Sequence, residues 1–260
     1  MRESQESILG SLVDAIGLEE LLSNIEDWVG RRSSASVCIA NVHSIVTAFL
    51  DAGFHRVLST ADLVITDGMP LVWILRRRGY RDQIRLYGPT VMKQVCNYAA
   101  QRGLSVGFYG GTPATLGRLV DHLHQSTEGQ LRVAFQHSPT FGTVKELYNC
   151  FPHERLRESA TQILFLGLGC PKQEELMSML KADHGIVMLG VGAAFDFFSG
   201  QVTMAPKILQ DHGLEWAYRL SQEPKRLFWR YVRTNTIFLP YLIKELLLPR
   251  KGSKAIPQSD

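Results

Sequence analysis

The chain has 260 residues, a formal net charge of +3, and 45% hydrophobic against 20% charged residues. That length and balance supply one substantial core, and so mild a charge argues against a dedicated nucleic-acid binder. Cys38, Cys96, Cys150 and Cys170 show no metal-ligand spacing, nor does any His, Asp or Glu grouping, so neither a metal nor another cofactor is expected. Nothing in the first residues, Met1 to Glu6, resembles a signal sequence, and a reduced cytoplasmic compartment is the natural inference.

In chain order, the segment from Ser7 to Val29 carries Ile8, Leu12, Ile16, Leu21, Ile25 and Val29 and is expected to be helical, closing one side of the core. Six short apolar runs then read as buried strands: 36–40, 63–66, 105–109, 132–136, 162–166 and 186–191. Between them lie helical patterns, such as Ile45, Phe49 and Ala52, then Leu71, Ile74 and Leu75. Others are Val91, Val95 and Tyr98, then Leu116, Leu119, Val120 and Leu123. Strands alternating with helices predict an α/β fold, a Rossmann-like and mainly parallel sheet covered on both faces, with its core from about Ser36 to Gly200. The division expected is a core over residues 1–222 and a helical appendage with a tail over 223–260.

Candidate chemistry gathers where these strands end. The run from Ala61 to Pro70 closes an apolar strand with Asp67 and Gly68, and a carboxylate at the C-terminal mouth of a buried strand sits where open α/β sheets bind ligands. Asp67 reads equally as the N-cap of a helix beginning at Met69 or Pro70. Asn41 and His43 leave the first core strand at the same edge, so a polar cluster with Asp67 is expected, although a histidine such as His43 is more often structural. Glycine turns follow three other strands: Gly110 and Gly111 before Thr112 and Pro113, Gly167 and Gly169 before Pro171, Lys172 and Gln173, and Gly190 and Gly192 before Asp196. Each alone is an ordinary tight turn; together they favour a nucleotide, whose phosphates suit helix N-termini, with Lys172 adding charge. Lys172 stands where a dinucleotide fingerprint needs a glycine, which weakens a dehydrogenase reading.

Positive charge is concentrated after Glu223. Arg226, Arg230 and Arg233 fall on one helical stripe, beside Leu227, Tyr231 and Phe238, with Phe228, Trp229, Val232, Leu239 and Leu242 widening the apolar surface. Pro240 is expected to interrupt or kink that helix, and the apolar run after it is too short to span a bilayer. A basic, aromatic, amphipathic helix suits an anionic membrane surface; the same stripe also fits packing on the core, another subunit, or closure over a diphosphate.

An ordered set of motifs resembles the WecG/TagA/CpsF glycosyltransferases. These are the run 61–68, the run from Leu166 to Glu174, the run from Gly190 through Phe197 to Gly200, Ala205-Pro206, and the run from Gly213 to Leu220 followed by Glu223-Pro224. The resemblance covers about residues 41–233. It implies an inverting transferase that moves a sugar from a UDP-sugar donor to a polyprenyl-diphosphate-linked acceptor at the cytoplasmic face of the inner membrane, as a peripheral protein. Such enzymes assemble exopolysaccharide, teichoic acid or enterobacterial antigen. By the same resemblance Asp67 matches a general base, Asn41 a polar residue beside it, Gln173 a glutamine near the nucleotide, and Arg226, Arg230 and Arg233 arginines supplied by a membrane-attached appendage. A nucleotide-dependent oxidoreductase and a non-enzymatic membrane-associated binding module remain the alternatives, and a homo-oligomer stays open.

Overall fold

In the strand Ala35–Ala40 (β3) every residue is buried, and successive side chains divide between two apolar layers: Val37 and Ile39 on one face, Cys38 and Ala40 on the other. This two-sided burial is what a parallel sheet between helical layers demands of its strands. The computed structural model describes residues 4–206, 208–209, 213–249, 252, 254 and 256. The side chain of Arg226 lies outside the described part.

The other strands of this sheet are Leu63–Thr66 (β4), Ser105–Gly110 (β5), Arg132–His137 (β6), Ile163–Gly167 (β7) and Val187–Gly190 (β8). All neighbours pair in parallel, in the order β4-β3-β8-β7-β5-β6. The expected Rossmann-like sheet is therefore present, with strand positions within a residue or so of the sequence pattern, but β6, expected to be buried, is an edge strand in which only Phe135 is buried. One layer of helices comprises Val42–Leu50 (α2), Ala52–Ser59 (α3), Met69–Arg77 (α4), Val144–Asn149 (α7), His153–Glu158 (α8) and Lys172–Leu180 (α9). The opposite layer comprises Leu18–Gly30 (α1), Gly88–Arg102 (α5), Pro113–Ser126 (α6) and Ala194–Phe198 (α10).

The N-terminal segment departs from expectation. Only its second half is helical; residues Gln5–Ile8 (β1) and Ser11–Asp14 (β2) form an antiparallel hairpin. Leu9 and Gly10 both take positive φ, 47° and 85°, the two-residue turn geometry that matches hairpin twist. Asp14 Oδ2 accepts the Val64 N–H at 2.7 Å, fastening the hairpin to β4. The alternation of Ile8, Leu12 and Ile16 fits a helix period by accident of the turn at Gly10.

At the C-terminus, Glu215–Gln222 (α11) precedes a long helix, Pro224–Leu247 (α12). The helix continues through Pro240, which removes one main-chain donor but sits between Phe238 and Leu242, both buried in the core layer that contains Ala48, Leu71 and Leu75. Packing on α2 and α4 thus outweighs the local interruption. Arg78 fixes this arrangement. Its guanidinium donates to Glu245 at 2.8 Å, to the Tyr241 hydroxyl at 2.9 Å and to the Ser7 carbonyl at 2.6 Å, tying hairpin, α4 and α12 together. Residues 224–247 are therefore seated on the core over part of their surface. No described helix is long and apolar enough to cross a membrane.

Candidate active site

The chain leaves β3 into α2 on one face of the sheet and leaves β8 into α10 on the other. The two exits part over the C-terminal strand ends, where open α/β sheets form their ligand crevice. A cavity of about 280 Å³ lies there, lined by residues that follow β3, β4, β7 and β8 and by Arg219 of α11 and Arg230 of α12.

Asp67 is the first residue beyond β4 and its backbone N–H donates to the Ala40 carbonyl at 2.8 Å, which pins it beside β3. It does not cap the following helix. Gly68 occupies that N-cap position, without a side-chain cap. The Asp67 carboxylate instead meets Arg85: Nε and Nη2 donate to Oδ1 at 3.0 and 2.8 Å, and Nε also meets the Asp67 carbonyl oxygen. Nη2 simultaneously donates to Glu215 Oε2 at 2.7 Å. The guanidinium carbon lies 4.1 Å from the centre of the Tyr87 ring. Burial pushes the Asp67 carboxyl above its ordinary value, Arg85 opposes that, and Glu215 adds to it. Burial also works against the Arg85 charge, but the two carboxylates more than offset it and keep it protonated.

Asn41 lines the same cavity and caps α2: its Oδ1 accepts the Ser44 N–H at 3.2 Å, and Ser44 Oγ accepts the Asn41 N–H at 3.4 Å. His43 lies one residue into α2. Burial, then Arg230 and Arg233, pushes its imidazole down to about 4, so the ring is neutral at neutral pH. The expected cluster of Asn41, His43 and Asp67 around one cavity is therefore present.

The glycine turns serve different ends. Gly169, Gln173, Gly192 and Asp196 line the cavity. Gln173, only 4% exposed, staples two of the turns: its Oε1 accepts the Gly169 and Gly192 N–H groups at 3.1 and 3.0 Å, while its Nε2 donates to Glu174 Oε1 at 2.9 Å. The Gly169 donor, in a turn expected to face a phosphate, and the Gly192 donor are thus both taken by a side chain. Gly110 and Gly111 are not among the cavity-lining residues. At Gly110, φ is 134° and a Cβ would stand 2.6 Å from the Gly167 carbonyl oxygen, so its role is the close approach of β5 to β7. Lys172 is likewise away from the cavity, its Nζ donating to the Gly142 carbonyl at 2.8 Å. Arg233 is exposed on α12 and acts on His43 only through its field, and Gly68 stands beside Asn41 at the head of α4.

Three participants escaped the sequence reading. Arg85 and Tyr87 carry no local signal, lying in a loop between α4 and α5, and Glu215 was visible only as a letter within a motif. Arg219 belongs to the same motif: it lines the cavity, its guanidinium carbon 5.6 Å from the Phe197 ring centre, and its buried Nε has no hydrogen-bond partner among the described residues. A cationic side chain that lines a cavity and keeps one donor unpaired within the fold is suited to an anionic ligand. Among the described residues no three His, Cys, Asp or Glu side chains are grouped to hold a metal.

The model of the Glycosyl transferase WecG/TagA/CpsF family matches residues 6–252. The match spans nearly the whole chain, from the hairpin through α12, and the chain belongs to that family. It is accordingly a glycosyltransferase of cell-surface polymer synthesis, acting on a sugar donor and an acceptor.

Proposed function

From that membership, we propose that the protein transfers a sugar, of hexosyl or N-acetylhexosaminyl type, from a UDP-sugar to a polyprenyl-diphosphate-linked saccharide with inversion at the anomeric carbon, using no metal. The observation that carries this reading is the state of Asp67, a cavity-lining carboxylate whose hydrogen bonds from Arg85 all fall on Oδ1 and the main-chain oxygen. Oδ2 has no protein donor among the described residues and remains an acceptor for a substrate proton. The acceptor hydroxyl gives its proton to Asp67 as its oxygen bonds to the anomeric carbon and the bond from that carbon to the UDP oxygen breaks. One base on one face suffices for a single inverting displacement.

The departing diphosphate gains charge as that bond breaks. Arg219 and Arg230, lining the same cavity, supply fixed positive charge, which substitutes for a divalent cation in stabilising the leaving group.

The reading includes peripheral attachment at the cytoplasmic face of the inner membrane, and contact with a membrane surface is supported by the second surface of α12. While Leu227, Phe238 and Leu242 are buried, Trp229 is 73% exposed and Leu247 78%, with Phe228, Leu239 and Ile243 also exposed. A helix apolar on both sides, with arginines between, places one side on the core and offers the other to an interface. The test of the reaction is UDP release with a synthetic lipid-diphosphate saccharide by the wild type and Asp67→Asn. Retention of the wild-type rate by the variant would refute the base assignment; bound nicotinamide cofactor with turnover of a hydride acceptor would replace the transferase chemistry.

A further inference from the structure

Arg85 touches two carboxylates from different parts of the fold. Asp67 follows β4 in the core, whereas Glu215 is the first residue of α11, which leads directly into α12. An arginine facing one carboxylate ordinarily forms a parallel fork, one donor to each oxygen. Here the fork is collapsed: Nε and Nη2 converge on Asp67 Oδ1, and Nη2 is shared with Glu215 Oε2 at 2.7 Å. Glu215 is 8% exposed and Arg85 packs over Tyr87, so the guanidinium has little room, and its tilt is set by the two carboxylates together with the Asp67 carbonyl oxygen that Nε also meets.

Resting on the assignment of Asp67 as base, we propose that Glu215 is a positioning residue, which holds Arg85 on Oδ1 alone and so leaves Asp67 Oδ2 open to the acceptor hydroxyl. Without the Glu215 charge the guanidinium swings into the parallel fork. Oδ2 is then occupied, and Asp67 loses a repulsive neighbour while gaining a closer cation, so its proton affinity falls. The groups acting on Asp67 are Arg85 from the α4–α5 loop and Glu215 and Arg219 from α11, with Tyr87 beside Glu215. Of these only Glu215 raises the proton affinity by charge. The arrangement makes the base depend on the docking of α11, the element through which the C-terminal helix joins the core.

The experiment is the pH profile of kcat/KM for UDP release by the full-length chain, for wild type, Glu215→Gln and Glu215→Asp. In Glu215→Gln the acid limb should move to lower pH by about one pH unit, kcat should fall about tenfold, and the donor KM should stay within about threefold. Glu215→Asp keeps the charge and should restore the wild-type limb. Lysine cannot form the fork, so in an Arg85→Lys background the further change Glu215→Gln should alter kcat by less than about threefold. An unmoved acid limb, or an equal loss in both backgrounds, would overturn the inference and leave Glu215 as a packing contact of α11. Asp67→Asn separates the two levels. If that variant turns over normally, the base assignment itself falls; if it is inactive while the Glu215→Gln limb is unmoved, only the positioning role falls.

Discussion

Replacing Gln173 with methionine keeps the side-chain volume and removes only its polar atoms, so it isolates the stapling of the cavity turns. Two main-chain donors, those of Gly169 and Gly192, lose the acceptor they share, and Glu174 Oε1 loses its donor. An orphaned buried group costs about 1–3 kcal/mol, and because the cavity admits water beside both turns the lower end applies to each donor. The sum is about 2–4 kcal/mol, which for a chain of this length lowers Tm by about 5–10 °C. UDP affinity should weaken in step, because both turns line the cavity. Circular dichroism melting together with calorimetric UDP titration reads both quantities. A Tm within about 1 °C of wild type combined with a clear loss of UDP affinity would refute the stapling argument and make Gln173 a direct nucleotide ligand.

Asp67→Asn should reduce transfer about 10²–10⁴-fold with UDP affinity nearly unchanged, measured by UDP release and calorimetry. Arg219→Ala should weaken binding of UDP and of the UDP-sugar by about tenfold or more, since its buried donor has no protein partner to leave behind; unaltered affinity by titration would remove Arg219 from the diphosphate. Burial pushes the Glu174 carboxyl up to about 7 from its ordinary 4.5, so the folded chain binds more protons than the unfolded one between those values and loses stability as pH rises through that window. Glu174→Gln should therefore change stability little near pH 4.5 and raise it by about 2–3 kcal/mol at pH 8, read by urea denaturation at the two pH values. Changing Phe228, Trp229 and Leu239 to serine should abolish flotation with anionic vesicles while leaving Tm within a few degrees, because these side chains face away from the core. Truncation from Pro224, by contrast, should also destabilise the fold, because it deletes buried Leu227, Phe238 and Leu242.

The strands were legible in the amino-acid sequence because a parallel sheet buried on both faces demands unbroken apolar, β-branched runs, and those stand out wherever charged helices flank them. Asp67, Asn41 and the cavity glycines could be placed at one edge for the same reason: each follows a strand directly, and parallel strands bring all such residues to one side. The hairpin at Gln5–Asp14 was hidden by a short apolar pattern compatible with both periods, decided only by the turn at Leu9-Gly10 and the bond from Val64 to Asp14. Tertiary structure alone decided what those site residues touch. Arg85 and Glu215 lie 130 positions apart and meet because α11 docks over the mouth of β4. Gln173 carries the same letters whatever it touches, and only the fold shows it lining the cavity while it closes the turns at Gly169 and Gly192. Local pattern reports burial and direction along one element; the partner of a polar group depends on which distant element the packing brings to it.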